Sequence, residues 1–151
     1  MRWVLLTVAL VMAGPAIADW QYTRWGMSPA QVIEAGGGIK PWRRPEADTS
    51  TGIIQLVGSY QSSGIGFRAE FKFSQNRLTR VVLTPKSADC NSLKALMART
   101  YGRIPGQGGT IIQTWRDANS GNFVAYTHFQ LTSFCQVDYS QLQSAGSRGG
   151  M

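Results

Sequence analysis

The segment from Ile65 to Phe73 constrains the fold of this chain more than any other, because its side chains alternate without exception. Ile65, Phe67, Ala69, Phe71 and Phe73 face one way, and Gly66, Arg68, Glu70 and Lys72 face the other. Such alternation is typical of a strand with one buried and one solvated face. A half-buried strand of this kind belongs to an antiparallel sheet, so the sequence predicts one here.

Other segments rich in apolar and β-branched residues flank this strand, and turn residues separate them. We predict strands at Ile53–Tyr60, Ile65–Phe73, Leu78–Thr84, Thr110–Arg116, Asn122–Phe129 and Thr132–Tyr139, after a short extended arm at Asp19–Arg24. Residues 36–51 begin with three glycines and are predicted to form a long loop.

A first helix is predicted from the residues around Pro29. Ser28 is a suitable N-cap, Pro29 occupies the first helical position, and Gln31 can complete a capping box. Gly36 ends the helix after about two turns.

A second helix is predicted from Asp89 to Tyr101, where apolar residues recur at helical spacing and Gly102 follows as a C-cap. A helix followed by three strands thus occurs twice. This order predicts an α+β fold, an antiparallel sheet with two helices packed on one face, in a possible (helix–three strands) × 2 arrangement. The alternative is an all-β sandwich with one stray helix.

The N-terminus has the pattern of a signal peptide. A positive start at Arg2 precedes an apolar run from Val4 to Ala13, and Ala16–Ala18 is the small-x-small triplet that a signal peptidase cleaves. The apolar run is shorter than the roughly 20 residues needed to span a bilayer. We therefore predict a signal peptide at 1–18, a single domain at 19–140, a disordered tail at 141–151, and a periplasmic or secreted location.

The charge balance has to be interpreted in that compartment. The chain has 151 residues with 15 basic and 8 acidic side chains, and the part after Ala18 carries +6. No motif of a nucleic-acid-binding fold is present, so a nucleic-acid partner is not expected. An exported basic protein is expected to meet anionic lipid headgroups, glycans or an acidic protein surface, unless the charge serves solubility alone.

The two cysteines, Cys90 and Cys135, are predicted to form a disulfide, because two cysteines in an oxidising compartment usually pair. Their spacing fits no metal site, and one histidine, His128, cannot complete a Cys/His set. Cys90 lies on the apolar stripe of the second helix and Cys135 on the apolar side of the last predicted strand. Both are therefore expected to point into the core.

No catalytic set emerges from the residue types. His128 is the only histidine and shares a strand face with Val124 and Tyr126, which favours a buried structural role. No metal or other cofactor is implied. A small hydrolase that uses Glu46, Asp48 or His128 stays open as an alternative function.

Two groups of residues are candidates for binding. The first is the proline-flanked loop segment Trp42, Arg43 and Arg44, since tryptophan and arginine are enriched at interface hot spots. The second is the polar side of the sheet, with Arg68, Lys72 and Arg80 as a site for an anion. Against these stand structural interpretations: Trp42 folding back on the core, and Glu70 pairing with the bases across strands.

The segment Trp25-Gly26-Met27-Ser28-Pro29-Ala30-Gln31-Val32 resembles the helix start of small exported bacterial envelope proteins, and Leu93-x-x-Leu96 with Tyr101-Gly102-x-x-Pro105 resembles their helix end. These proteins form the superfamily that contains the outer-membrane assembly factor BamE and the β-lactamase inhibitor protein. The resemblance implies helices packed on one face of an antiparallel sheet and a function in binding other proteins.

Together these features predict a non-catalytic interaction module of the bacterial envelope whose partner is another protein. The alternative is a binder of an anionic lipid headgroup or glycan through the basic sheet face.

If the signal peptide is interpreted correctly, the exported protein begins at Asp19. Intact-mass measurement of the protein from the periplasm or medium of an expressing bacterium checks this. A protein that keeps residues 1–18 and stays in the cytoplasm would contradict it.

Overall fold

The structure, a computed structural model, describes residues 19–43, 47–48, 52–87, 89–105 and 109–143. The predicted signal peptide, Arg44, Glu46 and the tail from residue 144 lie outside this range. The elements are β1 (Asp19–Trp20), β2 (Thr23–Arg24), α1 (Pro29–Ala35), β3 (Lys40–Pro41), β4 (Ala47–Asp48), β5 (Gly52–Ser62), β6 (Ile65–Ser74), β7 (Arg77–Pro85), α2 (Cys90–Tyr101), β8 (Thr110–Asp117), β9 (Asn122–Phe129) and β10 (Phe134–Gln141). One turn of 3-10 helix at Gln130–Thr132 joins β9 to β10.

A single antiparallel sheet organises the chain. Its strand order is β3-β5-β6-β7-β10-β9-β8, and β4 also pairs with β5, while β1 and β2 form a separate small hairpin. The sheet consists of two three-stranded meanders, β5–β7 and β8–β10, which join where β7 pairs with β10. At this junction Leu83 lies opposite Val137 and Val82 opposite Asp138.

The prediction of an α+β fold with two helices packed on one face is wrong. The sheet dominates: its six long strands have 8 to 11 residues each, whereas α1 and α2 have 7 and 12. Helix α1 is too short to cover a sheet face and buries only Val32. The (helix–three strands) × 2 arrangement is not the organising unit either, because β3 and β4 intervene and all the long strands join one sheet.

The predicted long loop at 36–51 is also wrong in part. Lys40–Pro41 pairs with β5 opposite Val57 and Leu56, and Ala47–Asp48 pairs with Ile53 and Gly52. Both short strands thus lie along the same edge of β5. Strand β5 offers this edge because its long neighbour β6 pairs with its other edge.

The alternation from Ile65 to Phe73 is confirmed, and it defines the two faces of the sheet. We call the face that carries Phe67, Phe71 and Phe73 the inner face; these three side chains are at most 1% exposed. The register places Val81, Leu83, Val124, Tyr126, Val137 and Tyr139 on the same side. The opposite, outer face carries Arg68, Glu70, Lys72, Arg80 and Asp138.

Several short elements close the inner face. Helix α2 contributes Cys90, Leu93 and Met97 to the core, the β1–β2 hairpin contributes Trp20, and Ile39 enters just before β3. Ile39 packs closely over Gly58: a Cβ atom on Gly58 would lie 3.3 Å from Ile39 Cγ1.

The predicted helix ends are confirmed. The Ser28 hydroxyl accepts from Gln31 N–H, and the Gln31 side chain accepts from Ser28 N–H, which completes the capping box of α1. Asp89 is the N-cap of α2 and accepts from Ser92 N–H at 3.0 Å. Gly102 ends α2 with φ of 106°, a conformation that favours glycine.

The predicted disulfide is confirmed: Cys90 at the start of α2 is bonded to Cys135 on the inner side of β10. The bond therefore attaches the longer helix to the strand that joins the two meanders. Both cysteines are buried, at 6% and 2% exposure.

Replacing both cysteines with alanine should lower the free energy of unfolding by up to about 4 kcal/mol, the loop-closure value for a separation of this length. Urea denaturation of the oxidised protein and the double variant measures the difference. The reduced wild-type protein serves as the matched control and should resemble the variant. Equal stability of all three would contradict a stabilising role for the bond.

Candidate binding face of the sheet

Trp42 connects the two candidate binding groups. Its backbone N–H donates to the Gln55 carbonyl at 2.7 Å, which extends the pairing of β3 with β5. Its half-buried ring lies on the outer face beneath the Arg68 guanidinium, with Arg68 Cζ 4.2 Å from the ring centroid. The loop and sheet candidates therefore meet in one cation–π stack, a contact of about 0.5–1 kcal/mol at an exposed site. Arg43 beside it is exposed.

Arg68 is also held by an ion pair. Its Nη2 atom lies 3.0 Å from Glu70 Oε1, and the Arg68 side chain stays 41% exposed. The guanidinium is thus fixed between a ring and a carboxylate while one side faces solvent. The structural interpretation predicted that Glu70 pairs with bases across strands, whereas the ion pair described here joins two residues of the same strand, β6. This pair accounts for part of the charge on the face.

Arg80 and Lys72 lie deeper, around the carboxylate of Asp138. Arg80 Nε donates to Asp138 Oδ1 at 2.7 Å, and Gln136 Nε2 donates to Asp138 Oδ2 at 3.0 Å. Lys72 lies opposite Arg80 in the register and is only 9% exposed. The three bases predicted to bind an anion are therefore not one open site, because Arg68 and Arg80 each already face a carboxylate.

The environment of Asp138 is dominated by its burial. Burial raises the pKa of this carboxyl above its ordinary value, although the attraction and hydrogen bond of Arg80, the charge of Lys72 and the amide of Gln136 all act to lower it. Removing a carboxylate from water therefore costs more here than its partners return.

The opposite end of the outer face is apolar and open. Ile112, Phe129 and Phe134 are 66%, 40% and 39% exposed. Phe129 and Phe134 lie opposite each other on β9 and β10 with ring centroids 6.0 Å apart. Ile112 on β8 lies opposite Thr127 on β9. Thr127 is two residues before Phe129 and therefore on the same face of the sheet.

A shallow cavity of about 420 Å³ joins the charged and apolar ends. Arg68 and Glu70 line one side of it, and Phe134 and Gln136 line the other. We call the continuous set the outer strip; its members are Trp42, Arg68, Glu70, Gln136, Phe134, Phe129 and Ile112.

Sequence reasoning missed the apolar half of this strip. The signal was present, because inward-facing His128 and Cys135 require Phe129 and Phe134, their chain neighbours, to face outward. The ion pair of Asp138 was missed for a different reason. Its partner Arg80 lies 58 positions away in the sequence, and no local pattern identifies which two strands pair there.

The catalytic alternative gains little from the geometry. His128 is buried on the inner face beside Tyr126, as predicted, and its Nδ1 atom has no hydrogen-bond partner among the described residues. It lines a cavity with Ser133 and Asp89, but the Asp89 carboxylate is engaged by Ser92 N–H, and no hydrogen bond joins His128 to either residue in the described chain.

Two further observations cover the described residues as a whole. No group of three or more histidine, cysteine, aspartate or glutamate side chains is placed there to hold a metal ion. No helix in the same ranges is long and apolar enough to cross a membrane.

Asp138→Asn should change how the free energy of unfolding depends on pH, because the variant has no buried carboxylate at this position. Because the folded-state pKa lies above the ordinary value of 3.8, the contribution of Asp138 to stability is fully present below that value and is lost as pH rises through the folded-state pKa. Urea denaturation of both proteins between about pH 3 and pH 7 measures this. The free energy of unfolding of the wild type, relative to that of the variant, should fall as pH rises. An advantage that grows with pH would mean that the attraction of Arg80 outweighs burial.

Comparison of the chain with protein-family models, with curated proteins and with solved structures found no match. The function must therefore be inferred from the site.

Proposed function

We propose that this chain is exported and binds another protein of the bacterial envelope through the outer strip, without catalysing a reaction. The observation that supports this most is the alignment of one stacked Trp–Arg pair with three exposed large apolar side chains on a single sheet face. Tryptophan and arginine dominate interface hot spots, and aromatic side chains are enriched in interface cores.

The dimensions of the strip suit such a role. It crosses the sheet from β3 to β8, and strands lie about 4.8 Å apart, so its length is roughly 30 Å. A typical stable interface covers about 800 Å² on each partner. A strip of this length and about half that width covers roughly half of that area, so a partner is expected to contact residues that border the strip as well.

The rigidity of the strip also favours binding. Its side chains stand on paired strands, and Trp42, Arg68 and Glu70 already hold one another in place. Ordering these side chains would therefore cost little on association, which is the main penalty that a preorganised surface avoids.

Charge indicates what the partner should look like. Lys40 and Arg43 are exposed beside Trp42, and Lys86 lines the cavity next to Phe134. The chain carries a net positive charge. We therefore expect a partner with an apolar patch bordered by acidic groups, since complementary charge favours encounter and correct orientation.

The alternative of a binder of anionic headgroups or glycans through Arg68, Lys72 and Arg80 is supported less well. Glu70 and Asp138 already face two of these bases, and Lys72 is buried. An anion would have to displace a carboxylate at each arginine.

The test combines site-specific cross-linking with substitution. A photoreactive amino acid at position 134 should cross-link one dominant protein in cells, whereas the same group at position 33 should not. Ile33 on α1 is the matched control because it is 40% exposed, like Phe129, and lies away from the strip.

Phe129→Thr combined with Phe134→Thr should weaken capture of that protein by at least about tenfold for each side chain, the effect of losing a hot-spot contact. Ile33→Gln should leave capture unchanged. A double variant that keeps the melting temperature of the wild type and captures the same protein equally well would remove the outer strip from the proposal.

A further inference from the structure

A second cavity lies on the other side of the sheet, between α2, the inner face and the β1–β2 hairpin. Its volume is about 210 Å³. Its inner end is apolar; the lining there consists of Phe67, Leu83, Leu93, Met97 and Val137. We call this cavity the inner pocket. It shares no residue with the outer strip.

The other end of the inner pocket is polar and aromatic. Tyr60, Tyr101 and Tyr139 line it together with Asp117. The Tyr60 hydroxyl accepts from Gln21 Nε2 at 2.9 Å. Burial raises the pKa of Tyr101 and of Tyr139, and the Asp117 charge adds to both, so these groups stay neutral near pH 7.

Aromatic rings form a wall at this end. Trp20 contacts Tyr60 edge to face with ring centroids 5.2 Å apart, and lies 6.3 Å from the Tyr139 ring. The Tyr101 ring stacks on the Trp115 ring, with the two ring centroids 5.4 Å apart. The faces of such rings carry negative electrostatic potential and attract cations.

Asp117 supplies the only charge among the described lining residues, and it is negative. It is fixed by its own turn: its oxygens accept from Ser120 Oγ at 2.6 Å and from the N–H groups of Asn119 and Ser120 at 3.2 Å. These hydrogen bonds, that of the Ser120 hydroxyl first, hold the pKa of Asp117 below its ordinary value, so the carboxylate is ionised.

We propose that the inner pocket binds a small organic ammonium ion with an apolar body, of the arylalkylamine type. The ammonium group would lie between the aromatic wall and the Asp117 carboxylate, and the apolar body would lie among Phe67, Leu93 and Met97. A benzene ring occupies a cavity of about 150 Å³, so a volume of about 210 Å³ accommodates a ring with a short aminoalkyl chain. This inference is independent of the proposed protein partner.

Three probes that share one skeleton and differ in charge test the proposal: 2-phenylethylamine, 2-phenylethanol and phenylacetate. Titration of the mature protein near pH 7, followed by NMR chemical shifts, should rank the amine first and phenylacetate last. The amine should bind at least about tenfold more tightly than the alcohol, the ratio that a single cation–π or ion-pair contact provides. Equal affinities, the reverse order, or no binding of the amine at millimolar concentration would overturn the proposal.

Asp117→Asn keeps one oxygen to accept from the N–H groups of Asn119 and Ser120, removes the charge, and replaces the second oxygen by an NH₂ group that can donate to Ser120 Oγ. It should lower the affinity for the amine towards that for the alcohol, since only the aromatic wall still attracts the ammonium group, and leave the affinity for the alcohol unaffected. Asp89→Asn is the matched control, since Asp89 also accepts from a local N–H but lies outside the inner pocket. If both variants reduced amine binding equally, net charge rather than the pocket would be responsible, and the proposal would fail.

Leu96→Trp fills the inner pocket from α2 at a position that is only half buried, so folding should tolerate it. All three probes should then lose binding. Undiminished amine binding by this folded variant would place the ammonium site elsewhere and would overturn the assignment even if Asp117→Asn failed to fold.

Discussion

The pairing of β7 with β10 is the contact on which the rest of the structure depends. Each meander of three strands forms from neighbouring segments, but a single sheet exists only because these two central strands meet. The buried side chains Leu83 and Val137 lie opposite each other at the junction, and the Arg80–Asp138 ion pair crosses the same junction on the outer face. The Cys90–Cys135 bond then attaches α2 to β10. Both the inner pocket and the outer strip span this junction, so neither can form in one meander alone.

The polar interactions of the outer face differ in kind from those of the inner pocket. On the outer face, acids and bases neutralise one another: Arg68 faces Glu70, and Arg80 faces Asp138. The two arginines are therefore already engaged by carboxylates and not open to a simple ion, while Lys40, Arg43 and Lys86 keep the border of the face basic. In the inner pocket, among the described residues, the carboxylate of Asp117 is stabilised by hydrogen bonds within its own turn. The acid of the inner pocket thus lacks the arginine partner that each acid of the outer face has in the described part of the chain.

Short local patterns in the sequence predicted several elements correctly, but they could not predict features that depend on pairing between distant segments. The alternation around Phe71, the capping box at Ser28 and the Cys90–Cys135 pair were all predictable, because each depends on a short pattern or on a compartment-wide rule. Fold class was not, because it depends on how far each strand extends and on which strands meet, and β7 and β10 are separated by a helix and two strands. The strand at Lys40–Pro41 is only two residues long, too short to show the alternation of apolar and polar side chains that identifies a strand. Trp42 and Arg68 were each singled out, but their contact follows only from the edge pairing that carries Trp42 over β6.

Gly58 lies on the inner face of β5, beside the segment that carries Trp42 to the outer face. The absent side chain leaves space for Ile39, and three residues later the same short segment carries the indole that supports the Arg68 guanidinium. A Cβ atom at position 58 would lie 3.3 Å from Ile39 Cγ1, so Ile39 would have to give way by a few tenths of an ångström. The volume of one side chain on the inner face thus bears on the short segment that holds Trp42 against Arg68 on the other face.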